Sequence, residues 1–163
     1  MMMNKVKINK TNNPNYGYES RVDLFRDVKQ HQHDVYRVML ELSYCMRERG
    51  ANHDWSKITY FDDFAKDTLE RLDTPDFKSR NWYNIHTTKE RHHVNANVPD
   101  NVNLLDLVEM MVDCICAGKS RSGCVDFSFL ELNKGVLEDA YWNTIKLIDE
   151  NVILKDGEKI IKK

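Results

Sequence analysis

A chain of 163 residues, 41% of them hydrophobic, suffices for one domain with a sizeable core and is short for two. Charged residues make up 31% of the chain but nearly cancel, and a net charge of -2 excludes a long-range pull toward duplex nucleic acid or anionic lipid. No apolar run approaches the roughly 20 residues that span a bilayer, and the opening MMMNKVKINK lacks the apolar middle of a signal peptide, so no membrane partner and a cytoplasmic location are expected.

Residues 1–18 are rich in Asn and Lys, contain Pro14 and Gly17, and show neither helical nor strand periodicity; they read as an irregular arm. From Ser20, a candidate N-cap, the residues Leu24, Val28, Val35, Val38 and Leu42 form one stripe of an amphipathic helix that ends near Gly50. At about 100° per residue His31 falls in that expected buried stripe, whereas His33 turns to the polar side with Arg26, Gln30 and Arg37. A second helical pattern follows His53-Asp54-Trp55-Ser56-Lys57, marked by Phe61, Phe64, Leu69 and Leu72 and stopped by Asp73-Thr74-Pro75. The third runs from Phe77 to about His93, with Trp82, Ile85 and His86 at helical spacing.

Asn103 is placed to cap a strongly apolar helix from Leu104 to Ala117, which Gly118 is expected to end. Asp106, Glu109 and Asp113 fall on one side of it at steps of three and four; Asp106 and Glu109 are candidate metal or water partners, although a charged stripe is usually a solvated face, and Asp113 is the favoured site residue of the three. A small basic loop, Lys119 to Gly123, leads to a last helix from about Leu130 to Glu150 that places Leu137, Tyr141, Ile145 and Ile148 on one face. Val152 to Leu154 and Lys159 to Ile161 have the makings of a minor hairpin. Trp55, Trp82, Trp142, Met110 and Met111 read as packing residues, and Cys45, Cys114, Cys116 and Cys124 lack the spacing of a disulfide framework. The expected organisation is an arm over 1–18, one compact all-α domain of five to six helices over 19–155, and a polar tail over 156–163.

All six histidines lie in the first three fifths of the chain, and His53 is followed directly by Asp54. Neutral imidazoles suit transition metals such as iron, manganese, zinc, nickel or cobalt, whereas magnesium and calcium favour oxygen. A carboxylate offers two oxygens, so Asp54 has the means to bridge two ions.

The ordered segments HQHDV at 31–35, HDWSK at 53–57, IHTTKERHHVN at 85–95 and LVEMMVD at 107–113 resemble the HD-domain superfamily of metal-dependent phosphohydrolases. More closely, they look like an uncharacterised group of bacterial and phage proteins in that style, which for a phage protein means the host cytoplasm. The resemblance covers roughly residues 24 to 117. It implies an HD-type helical domain, a ligand quartet of His31, His53, Asp54 and Asp113, and a second metal position completed by His86 with His92, His93 or both.

The function implied by the resemblance is hydrolysis of a nucleotide or nucleotide-like phosphate ester or phosphodiester by one or two divalent transition metal ions. Asp54 would act at the metal, and Glu109 would orient a ligand histidine. Lys57 stands where nucleotidases of the superfamily often carry an acid, and a lysine there would meet substrate phosphate rather than orient water. Lys119 or Arg121 would be further phosphate anchors, the alternative being that both are surface charges. Two alternatives stay open: a di-iron oxygenase of the same superfamily, and a non-catalytic protein that binds a nucleotide or a host protein.

Overall fold

The computed structural model describes residues 3–9, 20–69 and 80–155. Most of the expected arm, the tail after Lys155, and the Leu72, Asp73-Thr74-Pro75, Phe77 and Lys159 to Ile161 positions lie outside the described residues. The described chain is mostly helical, and none of its helices is long and apolar enough to cross a membrane. Its contacts divide it into two compact units, Met1–Arg47 with Ile145–Lys163, and Glu48–Thr144.

In the first unit the main element is α1, Arg21–Ala51, whose last turn passes into the second unit. Ser20 caps it as expected, its Oγ accepting from the Asp23 amide at 3.2 Å. The stripe expected to be buried is not: Leu24, Val28 and Val35 are exposed, and the buried residues of α1 are Asp34 and Cys45. The reason lies in what α1 packs on. A strand β1, Val6–Ile8, falls inside the segment expected to be irregular, and the preceding Asn4 amide donates to Glu41 Oε1 at 3.0 Å. Arg37 donates to the Lys7 carbonyl at 2.5 Å. Asp34, Arg37, Glu41 and Cys45 are spaced as one helical face, so the face that turns inward is the one that satisfies strand backbone.

Strand β1 pairs with β2, Val152–Leu154, in a parallel register of Val6 with Val152 and Ile8 with Leu154. The partner expected for Val152 to Leu154 in a hairpin, Lys159 to Ile161, lies outside the described residues, and among the described residues Val152 to Leu154 pairs with β1. Met3 and Val6 are buried beside this small sheet's strands.

The second unit contains α2, Trp55–Thr59; α3, Phe61–Leu69; α4, Asn81–Lys89; α5, Leu104–Ser122; a 3-10 turn, Phe127–Leu130; and most of α6, Lys134–Asn151. Its core gathers Val94, Val102, Leu107, Met110 and Ala140, with Leu104, Cys114, Leu130, Leu132 and Val136 packed around them. Asn103 and Asp106 form a reciprocal capping box at the start of α5, and the Leu104 amide donates to Thr144 Oγ1 at 2.8 Å, which ties α5 to α6.

Further expectations are corrected here. Helix α5 does not stop at Gly118 but runs to Ser122 and ends on Gly123, whose φ of 74° forms a left-handed C-cap. Gly118 is needed for closeness instead, since a Cβ there would sit 2.7 Å from the Cys124 carbonyl oxygen. Helix α6 starts at Lys134 rather than Leu130, because Asn133 Oδ1 accepts the Gly135 amide at 2.8 Å and starts the helix there. It buries Ala140 and Thr144, while Leu137, Tyr141 and Ile145 are exposed. Of the expected packing residues, Trp82 and Met110 are buried and Trp55, Trp142 and Met111 are exposed.

Candidate metal centre

The site lies within the second unit, where short elements and turns deliver side chains that the long helices do not. Ala51 ends α1, and the chain reverses through Asn52, His53 and Asp54. Asp54 takes a left-handed backbone, φ 60° and ψ 24°, as the residue before α2. Aspartate tolerates this conformation better than most residues, so the turn and the carboxylate call for the same residue type. His86 comes from α4. His92 and His93 come not from a helix, as expected, but from the turn that follows it. Glu109 and Asp113 share one face of α5.

Asp54, His86, His92 and His93 each present a ligand atom, and the four atoms lie within 4.8 Å of one another. Asp54 Oδ1 is 3.3 Å from His86 Nε2 and 3.8 Å from His92 Nε2, and His86 Nε2 meets His93 Nε2 at 2.6 Å. Two imidazole nitrogens this close require a proton on one or a cation facing both. Asp54 Oδ1 and both ring nitrogens of His92 are buried without a hydrogen-bond partner, and His92 is 1% exposed. Buried polar atoms left this way are costly, and a metal ion is one of the few groups that satisfies Asp54 Oδ1 and His92 Nε2 together. Three imidazoles and a carboxylate are a donor set for a transition metal.

A second group of three, His53, His92 and Glu109, adjoins the first and shares the His92 ring. His53 Nδ1 is 3.2 Å from Glu109 Oε1, and its Nε2 is 3.3 Å from Asp113 Oδ1 and 3.6 Å from Asp54 Oδ2. The two flanking carboxylates, Asp113 foremost and then Glu109, push the His53 pKa up to about 10 against the opposing effect of burial. His53 in turn holds Asp113 below the usual carboxylate range. Burial works against ionisation of Glu109, but the contacts from His53 and His92 and the Arg49 guanidinium hold it well below that range. His92 Nδ1 lies 3.4 Å from Glu109 Oε1, near enough for attraction but outside hydrogen-bond geometry. Burial, reinforced by neighbouring positive charge, keeps His86 and His93 neutral, pushing them down to about 3 and about 4. Neutral imidazole is the form that binds metal.

Behind these groups stands a layer with little signal in the sequence. Ser56 Oγ is 2.7 Å from His86 Nδ1, and the Ser56 amide donates to Glu90 Oε1 at 2.8 Å. Arg49 Nη1 contacts both Asp106 Oδ1 at 2.6 Å and Glu109 Oε2 at 3.2 Å, while Arg91 grips both oxygens of Asp106. Asp106 is therefore fully buried, and the acidic side of α5 that reads as a solvated face is an internal one. Ser56 has a visible signal in its place beside the His-Asp pair; Arg49 has none, being one of several charges in the last turns of α1.

A cavity of about 760 Å³ opens on the cluster, bordered among others by Lys57, Tyr83, Asn95 and Arg121. Lys57 Nζ contacts Asp54 Oδ2 at 2.5 Å. Arg121 borders the cavity because α5 continues past Gly118, whereas Lys119 is exposed. The structure thus brings together His53, Asp54, Lys57, His86, His92, His93, Glu109 and Asp113. His31 and His33 lie on α1 in the first unit, where both are exposed.

Fold and site together define a mostly helical protein with a buried histidine and carboxylate cluster. A family of unknown function (DUF5662) has a model that matches residues 20–151, and the chain belongs to that family. No curated protein and no solved structure matches it.

Proposed function

We propose that the chain is a metal-dependent phosphohydrolase that cleaves a phosphate ester or phosphodiester of a nucleotide-like small molecule. The observation that carries this reading is the convergence of Asp54, His86, His92 and His93 within 4.8 Å, with Asp54 Oδ1 and both nitrogens of His92 buried and unpaired. An ion bound there supplies Lewis acidity and acidifies water toward neutral pH. Asp54 Oδ1 and the Nε2 atoms of the three histidines are the atoms that would hold it. For His86 Nε2 to offer its lone pair, Nδ1 carries the proton and donates to Ser56 Oγ, 2.7 Å away. Glu109 faces Nδ1 of both His53 and His92 and orients the two rings. His53 Nε2 holds a proton toward Asp113 and Asp54.

The phosphate preference rests on the cavity, large enough for a nucleotide, whose lining includes the cationic side chains of Lys57 and Arg121. The HD-type order of the motifs supports the same reading. Metal analysis of the purified protein, joined to a phosphate-release screen over nucleotides and cyclic dinucleotides with a chelator control, tests it. Chelator-sensitive release of phosphate is the expected result. Bound iron with oxygen consumption and no phosphate release would replace hydrolysis by oxygenation, and tight nucleotide retention without turnover would make the protein a binding module.

A further inference from the structure

We infer that the centre takes one metal ion per chain, because Lys57 supplies the positive charge that a second ion would otherwise bring to Asp54. The inference rests on the metal reading above and concerns its stoichiometry. A bridging carboxylate must give one oxygen to each of two ions. In Asp54 the two oxygens have different surroundings: Oδ1 is buried, unpaired and turned to His86 and His92, whereas Oδ2 is 2.5 Å from Lys57 Nζ. Only one oxygen is left for a metal.

The second candidate group meets related obstacles at Glu109 and His92. Glu109 gives Oε2 to Arg49 at 3.2 Å, which leaves it the single oxygen Oε1, and that oxygen faces Nδ1 of both His53 and His92. Its His92 belongs to both groups, with Nε2 toward Asp54 and Nδ1 toward Glu109. An imidazole that binds metal through Nε2 keeps its proton on Nδ1, and the Glu109 carboxylate 3.4 Å away attracts that edge of His92, so Glu109 serves it as an orienting partner and not as a co-ligand. Charge decides in the same direction. Around the cluster the five carboxylates Asp54, Glu90, Asp106, Glu109 and Asp113 meet three permanent cations, Arg49, Lys57 and Arg91. Leaving histidines aside, one divalent ion balances that charge. A second would leave a surplus of two positive charges in a partly buried site.

Saturation with manganese(II), followed by metal analysis of the desalted protein and by electron paramagnetic resonance, tests this on the full chain. The wild type is expected to hold one ion with an uncoupled manganese spectrum. Lys57→Glu, which exchanges the ammonium for a further carboxylate, is expected to hold two with an exchange-coupled spectrum. Lys57→Gln, nearly isosteric and neutral, is expected to admit the second ion with at least tenfold weaker affinity than the first, and serves if the charge reversal impairs folding. Two ions in the wild type, or one ion in both variants, would overturn the inference while leaving a metal centre. No ion in the wild type would remove the metal reading itself.

Discussion

Asp54 answers two demands that few residues meet together: a left-handed backbone at the turn into α2 and a carboxylate aimed at three imidazoles. Asparagine shares the first property and lacks the second. Asp54→Asn is therefore expected to melt within a few degrees of the wild type while metal affinity falls on the order of 100-fold or more. Asp54→Ala should lose the metal equally and additionally cost about 1–2 kcal/mol, because alanine has no ease at φ 60°. Equal stability of the two variants by denaturant unfolding would show that the backbone there carries no conformational demand. Glu109 tests the orienting layer in the same way. Glu109→Gln keeps the shape and one acceptor oxygen, and loses the charge that faces His53, His92 and Arg49; a drop of about 10–100-fold in metal affinity is expected by calorimetry.

At the scale of the element, two glycines near helix ends behave oppositely. Gly50 lies in the last turn of α1 with nothing near a built Cβ, so Gly50→Ala should stabilise by about 0.5–1 kcal/mol through helix propensity. Gly118 lies inside α5, yet its Cβ would press on the Cys124 carbonyl, which is backbone and cannot rotate away. Gly118→Ala is expected to destabilise by about 1–3 kcal/mol despite the same gain in propensity. A stabilised Gly118→Ala in urea titrations would contradict the close passage of that chain. This pair also shows what a sequence discloses. A glycine after an apolar run reads as a stop, and only the neighbouring backbone tells that Gly118 is a point of contact and Gly123 the true cap. The helices themselves and the Asn103 cap were legible, because periodicity and capping chemistry are local signals; the grouping of His53, Asp54, His86, His92, His93 and Asp113 came only from the resemblance of the ordered motifs, which also named His31, exposed on α1. The inward faces of α1 and α6 were not. There the choice fell to backbone groups needing partners, at Asn4 and Lys7 for α1 and at Leu104 for α6, and no apolar stripe announces that.

Over the molecule as a whole, the shifted histidines oppose one another in their effect on stability. His53 has its pKa raised from 6.5 to about 10, so its stabilising contribution is full below pH 6.5 and is lost as pH rises through about 10. His86 and His93 are lowered to about 3 and about 4, so below pH 6.5 the unfolded chain takes up their protons first and the folded state loses stability down to those values. The lowered Asp113 and Glu109 add to the acid loss, their contribution falling away as each is protonated. In chelator, stability is expected to peak near neutral pH and to fall on both sides. Urea midpoints measured from about pH 4.5 to about pH 9 check this; a steady rise across that range would mean that His53 lacks its two carboxylate partners.

The unit that holds the cluster is one unbroken stretch of chain, Glu48–Thr144, whereas the other unit is assembled from two separated stretches joined through the parallel β1–β2 pair. Such a topology imposes an order in time. A chain made in the N-to-C direction can complete every contact of the cluster while β2 is still unsynthesised, and the pairing of β1 with β2 must wait until Val152 to Leu154 have emerged. In pulse-labelled refolding, amides of α5 should accordingly gain protection ahead of those of Val6 to Ile8, because closing the longest loop carries the largest entropic delay. The histidine pocket is thus built first, and the strand pairing that joins the two distant stretches comes last.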